Sequence, residues 1–193
     1  MSQETDKEIK KQGLIKGVFL GLVISAISII YFYFMVTVAK SAVVITFGSM
    51  LFSYLLPLTA AALFSLKLRA KIGGLWTMRQ ASTGIFIMFF VSYLMAFIIK
   101  DQLFAKVIEP NMVQKTEIAM GNALNKLKDE TTKPEEKKEA DAKIVEMKKA
   151  FDAERAVSIG QQIQSLGISI ILLFVLSIIF AAFFKREPAG SAS

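Results

Sequence analysis

The chain has 193 residues, 54% of them hydrophobic, with a mean hydropathy of +0.52 and a formal net charge of +7. Its apolar residues lie in long blocks and its charges in short stretches, which excludes a soluble globule built round one core. With no Cys and no His, disulfides, thiolate nucleophiles, imidazole bases and most zinc or copper sites are excluded as well.

After a tail over residues 1–13, four apolar blocks follow at about 14–39, 42–66, 81–99 and 166–184. Each covers at least ~19 residues, or ~28 Å of helix, enough for a hydrocarbon layer ~30 Å thick. No acid interrupts any of them, and Lys16 near the start of the first can snorkel to the headgroups. The first block is too long for the core of a signal peptide, and no small-x-small cleavage site follows it cleanly. Pro57, the one proline within a block, predicts a kink in the second helix.

Basic residues set the orientation. The N-terminal tail and the start of the first block carry Lys7, Lys10, Lys11 and Lys16, the 67–80 loop carries Lys67, Arg69, Lys71 and Arg79 without an acid, and Lys185 and Arg186 follow the last block. These three segments hold 10 basic and 4 acidic residues, whereas residues 100–157 hold 12 of each. The positive-inside rule therefore places both termini and the 67–80 loop in the cytoplasm and residues 100–157 on the opposite side. The net charge is a topology signal and gives no reason to invoke nucleic acid. Anionic lipid headgroups held by Lys67, Arg69, Lys71 and Arg79 are a secondary expectation. Gly73-Gly74 in that loop lacks any phosphate-loop pattern and reads as a tight turn before an interfacial anchor, Trp76.

Residues 100–157 form a charged segment outside the membrane. Glu109-Pro110-Asn111 breaks the chain, and a helix is expected from Pro110 to about Glu130. Its apolar positions Val113, Met120, Leu124 and Leu127 form a narrow seam. Thr132 is expected to cap a second helix, with Glu135 reaching back. That helix carries a stripe of Ala140, Ile144, Met147 and Phe151 and has no breaker before the last block, so one helix is expected from about 133 to 184. Together the two helices predict an antiparallel hairpin projecting ~30 Å from the membrane. Its seam closes on itself or opens to a partner. Glu139–Lys143, Glu135–Lys138 and Asp152–Arg155 are expected ion pairs worth ~0.2–0.5 kcal/mol each.

Gly13, Gly17, Gly21 and Ser25 recur at four-residue intervals in the first helix, a groove for close packing within the bundle or for docking another chain. Hydroxyls inside the blocks, such as Ser49, Tyr54 and Ser92, fit helix packing better than a solute path, since no acid or base lies mid-block. Glu135, Glu136, Glu139 and Asp141 are interleaved with lysines and match no calcium loop, so a solvated face is the better reading and no metal or cofactor is expected. The stretch from Pro188 to Ser193 reads as a flexible end or a cloning remnant outside the fold.

The stretches Gly13-Leu14-Ile15-Lys16-Gly17, Ile72-Gly73-Gly74-Leu75-Trp76 and Ile108-Glu109-Pro110-Asn111, the last with Glu where Asp is more usual, resemble those of a bacterial family of small four-span membrane proteins, the domain of unknown function 4199. The likeness covers nearly all of residues 8–187, including the charged insert before the last block. It implies an inner-membrane protein, and it supplies neither an activity nor catalytic residues.

The expectation is thus an all-α, four-span membrane protein with a helical hairpin between spans three and four. Its expected role is non-enzymatic, as an accessory or scaffolding subunit that binds a protein partner, or a second copy of itself, through the hairpin. The alternative is a small oligomeric transporter or lipid-handling protein.

Overall fold

The computed structural model describes residues 3–156 and 158–186; the stretch from Pro188 to Ser193 lies outside them. Among the described residues the elements are all helical, with an isolated bridge between Trp76 and Arg186 as the one β pairing. Helix α1 (Gln3–Tyr33) passes into a π segment, Phe34–Val38. Helix α2 (Ala42–Ser49) opens on Ser41, whose hydroxyl accepts from the Val44 N–H, and leads through a π segment, Met50–Leu55, into α3 (Leu56–Lys71). Helix α4 (Met78–Ala96) starts from a capping box between Thr77 and Gln80 and continues as a π segment, Phe97–Ile108. Then come α5 (Met112–Glu130), α6 (Pro134–Arg155) and α7 (Ile159–Phe184).

Four helical stretches are long and apolar enough to cross a bilayer: Glu4–Val38, Ala42–Lys71, Met78–Ile108 and Gln164–Phe184. At most 28% of the apolar window in any of them is buried within the protein. Phe47, Leu58, Ile171 and Phe183 are among the large apolar side chains left outside. A chain in water does not leave such faces bare, whereas lipid accepts them. The protein is a multi-pass membrane protein.

The break expected at Pro57 takes the form of π bonding. Proline has no N–H and its ring clashes with the carbonyl four residues back. Just ahead of it the Leu56 N–H donates instead to the Leu51 carbonyl, five residues back. The third stretch likewise runs past residue 99 without interruption, and its last bond joins the Glu109 N–H to the Phe104 carbonyl at 2.8 Å.

The chain divides into two compact units. One comprises the described parts of Met1–Ser25, Pro57–Ile99 and Ile163–Ser193. Its core joins Leu20 of α1, Leu68 of α3, Ile85, Met88 and Phe89 of α4, and Phe180 and Ala181 of α7, with Trp76 from the α3–α4 loop. The other comprises Ala26–Leu56 and the described parts of Lys100–Gln162. There Phe32 meets Phe104 edge-on, Tyr31 stacks on Phe52, and the Tyr31 and Ser49 hydroxyls share a hydrogen bond.

Three local expectations are corrected. Pro110 precedes its helix: Glu109 to Met112 forms a turn closed by a 2.9 Å bond, with Asn111 at φ −95° and ψ 19° as a type I turn requires. Thr132 does not cap α6. Lys133 is the capping residue, without a side-chain cap bond, and Glu136 rather than Glu135 reaches back, to Lys133 at 2.8 Å and to the Thr131 hydroxyl. The hydrogen bond from Lys133, then that from Thr131, holds the Glu136 carboxyl below its usual range. The long helix expected over 133–184 ends at Arg155, where the Ala156 N–H turns back to the Asp152 and Ala153 carbonyls. Ser158 starts α7 by a reciprocal capping box, its N–H donating to Gln161 Oε1 at 2.8 Å and its Oγ accepting from the Gln161 N–H at 3.3 Å. Helix α5 also packs on α2 and on the Phe34–Val38 segment.

Candidate binding grooves on the α5–α6 pair

Helices α5 and α6 lie side by side and run in opposite directions. Lys128 meets Asp141 at 2.7 Å near the turn, and Arg155 meets Glu117 at the far end. Both pairs are substantially exposed, so each adds at most about 1 kcal/mol. Of the ion pairs expected within α6, Asp152–Arg155 forms at 3.3 Å; Glu139–Lys143 and Glu135–Lys138 are not among the ion pairs of the described residues. The small residues Ala123 and Ala140, each only 1% exposed, let the two helices come close.

The two apolar stripes do not simply face each other. Met120, Leu124 and Leu127 of α5 and Met147 and Phe151 of α6 line a cavity of about 510 Å³ whose third wall is α2, through Ala42, Ile45 and Thr46. Ala123, Lys143, Glu146 and Ala150 complete it. Ile144 turns to the opposite face of the pair, where a second groove of about 530 Å³ is lined by Gln114, Ile118, Asn122, Asn125 and Lys148 among others. Val113 is half-buried and lines neither groove. Both stripes thus line one cavity, beside this chain's own α2.

Sequence reasoning missed Ala123 and the contribution of α2. The first was legible, since Met120, Ala123 and Leu127 keep the spacing of one helix face. Nothing in the local pattern of α2 announces which helix will lie on it.

A junction ahead of α5 explains the acid before Pro110. Glu109 accepts from Lys115 Nζ at 2.5 Å and from the Tyr33 hydroxyl at 3.4 Å, tying the start of α5 to the end of α1.

The small-residue stripe of α1 is filled by α4. Gly13 lies against the Gly84 carbonyl and Ile87, Gly17 against Met88 and Val91, and Gly21 against Ser92 and Met95. Ser25 is buried and donates to the Gly21 carbonyl at 2.7 Å.

The four basic residues of the α3–α4 region do not converge. Arg69 donates to the Phe184 carbonyl at 3.3 Å, and Lys67 lies 5.4 Å from the centre of the Phe64 ring. Lys71 is exposed, and Arg79 lines a separate polar pocket with Asp6, Lys10 and Thr77. Trp76 is not an interfacial anchor. It is 1% exposed, and its indole N–H donates to the Phe184 carbonyl at 2.8 Å. Gly73 and Gly74, at φ +99° and +81°, make the reversal that delivers it, a backbone course other residues rarely adopt.

Residues 11–186 match the model of a family described as a protein of unknown function, DUF4199. No curated protein and no solved structure matches the chain.

Proposed function

Since the chain belongs to the DUF4199 family of proteins of unknown function, we propose from its own residues that it is a non-enzymatic accessory or scaffolding subunit. In this reading it resides in a bacterial inner membrane and binds a protein partner through the α5–α6 pair. The observation that carries the reading is the polar groove on the open face of that pair. Ile118, 54% exposed, stands there among Gln114, Asn122, Asn125 and Lys148. An apolar anchor ringed by hydrogen-bonding groups has the composition of a protein interface, and a site for chemistry has no such need. Lys67 and Lys71 remain available to anionic headgroups, while Arg69 already serves the Phe184 carbonyl.

A photoreactive residue at Ile118, introduced in living cells, tests the interface. We expect one discrete adduct with a second protein, lost when Asn122→Lys or Lys148→Glu is added. No adduct at Ile118 or at Asn125 under conditions where a transmembrane position cross-links to its neighbours overturns the partner reading. The alternative role, a small oligomeric transporter or lipid-handling protein, draws its support from the apolar groove on the other face.

Orientation is tested separately. The chain has no Cys, so single cysteines at the exposed Lys7 and Lys137 report sidedness directly. An impermeant maleimide added to intact spheroplasts is expected to label Lys137→Cys and spare Lys7→Cys until the membrane is opened. Labelling of both, or of Lys7→Cys alone, sinks the assignment.

A further inference from the structure

We infer that the groove walled by α2, α5 and α6 holds one acyl chain of a membrane phospholipid whose head carries both a phosphate and an ammonium group. This inference is independent of the partner reading and concerns the opposite face of the helix pair.

Three observations on the groove converge. The first is its wall. Ala42, Ile45 and Thr46 open the apolar stretch Ala42–Lys71, so the groove borders the place where that span enters the bilayer. Phospholipid is the molecule present there at the highest local concentration. The second is size and lining. About 510 Å³ lies in the range of small-molecule sites. A helix about 10 Å across fills that volume with roughly one turn, too little to seat a helix of a partner or of a second copy. Leu124, Leu127 and Phe151 supply fixed apolar walls, and Met120 and Met147 supply unbranched side chains that adapt to a mobile chain.

The third is charge. Lys143 and Glu146 stand on the groove, three residues apart on α6 and so on one side of the helix. Lys128, Lys133 and Arg155 each meet a carboxylate. Lys143 and Glu146 belong to none of the ion pairs among the described residues. A phosphate accepts from the Lys143 ammonium, and the head's own ammonium donates to the Glu146 carboxylate. A zwitterionic head satisfies both at once and brings no net charge to an apolar site. An anionic head satisfies Lys143 and is repelled by Glu146.

The test uses the full chain, stripped of lipid in a neutral sugar detergent and titrated with phosphatidylethanolamine or phosphatidylglycerol under native mass spectrometry. One phosphatidylethanolamine is expected to stay bound per chain, in preference to phosphatidylglycerol. Ala150→Trp places an indole in the groove from an exposed position and is expected to eliminate that adduct. Lys143→Gln is expected to weaken it by about two- to fivefold, as the loss of one exposed ion pair does. Glu146→Gln is expected to reduce the preference for phosphatidylethanolamine by raising phosphatidylglycerol binding. Lys148→Gln, on the opposite groove, is expected to change nothing. If Ala150→Trp fails to fold, the two glutamine variants still decide the matter through headgroup preference. The proposal is overturned by an adduct that survives Ala150→Trp, by wild type and glutamine variants that bind both lipids alike, or by a dimer that dissociates on Ala150→Trp.

Discussion

Gly21→Leu is expected to lower the thermal midpoint of the purified protein by about 2–12 °C. A Cβ at that position alone comes within 2.5 Å of the Met95 Cβ and 2.9 Å of the Ser92 carbonyl oxygen. Neither is the loose end of a side chain, so α1 and α4 must separate to admit the rest of the leucine. Overpacking of this kind costs about 1–3 kcal/mol, and more where backbone must move. For a chain of this length each kcal/mol shifts the midpoint by about 2–4 °C. Gly17→Leu is expected to act alike, since its Cβ meets the Met88 carbonyl oxygen and the Val91 Cβ, both at 2.7 Å. Gly167→Leu is the control, because nothing lies within 4 Å of a Cβ there. Equal midpoints for Gly21→Leu and Gly167→Leu in a thermal-shift assay remove the α1–α4 contact as a source of stability.

Trp76→Ala is expected to be as damaging, by a different route. The side chain is 1% exposed in the core shared by α3, α4 and α7, and large-to-small changes of this kind cost about 3–5 kcal/mol. The indole also serves the Phe184 carbonyl, an orphan acceptor at the end of α7. Trp76→Phe keeps most of the bulk and loses only that bond, so it separates the two contributions. We expect it to cost about 1 kcal/mol. Trp76 is the chain's single Trp, so fluorescence reports on this residue alone. Its emission is expected to be blue-shifted and insensitive to an aqueous quencher. Ready quenching marks a residue at the surface and ends the argument.

The spans were legible because crossing a bilayer depends on a run of apolar residues, a property each segment owns by itself. The fate of Trp76 was not. An aromatic beside a basic loop reads as an anchor at the membrane surface, and only the arrival of Phe184, more than a hundred positions later, supplies a reason to bury it. Glu109 shows the reverse. It announced a break beside Pro110, but its carboxylate also has two distant or semi-distant partners, Tyr33 and Lys115, that no local pattern names. The seam on α5 was visible as a stripe, yet a stripe states only that a helix wants cover. That α2 supplies part of it is a fact about topology. The start of α7 was legible and passed over: Ser158 and Gln161 hold the spacing of a capping box, with Gly160 between them.

The π segments at Phe34–Val38, Met50–Leu55 and Phe97–Ile108 have a consequence for how this chain can change length. Each is in effect a helix that has absorbed surplus residues, with its closing bonds reaching back five positions instead of four. Deleting one residue from such a stretch allows ordinary α bonding to form locally, so the deletion carries no penalty in backbone bonds. Replacing a wide turn of five residues by an ordinary turn of four also leaves the chain beyond it facing nearly the same way. The same deletion in an ordinary α stretch, such as Met112–Glu130, turns everything beyond it by about 100°. The surplus residues thus act as slack. A residue lost within a π segment is absorbed there, whereas elsewhere in these helices a loss must be matched by a gain nearby.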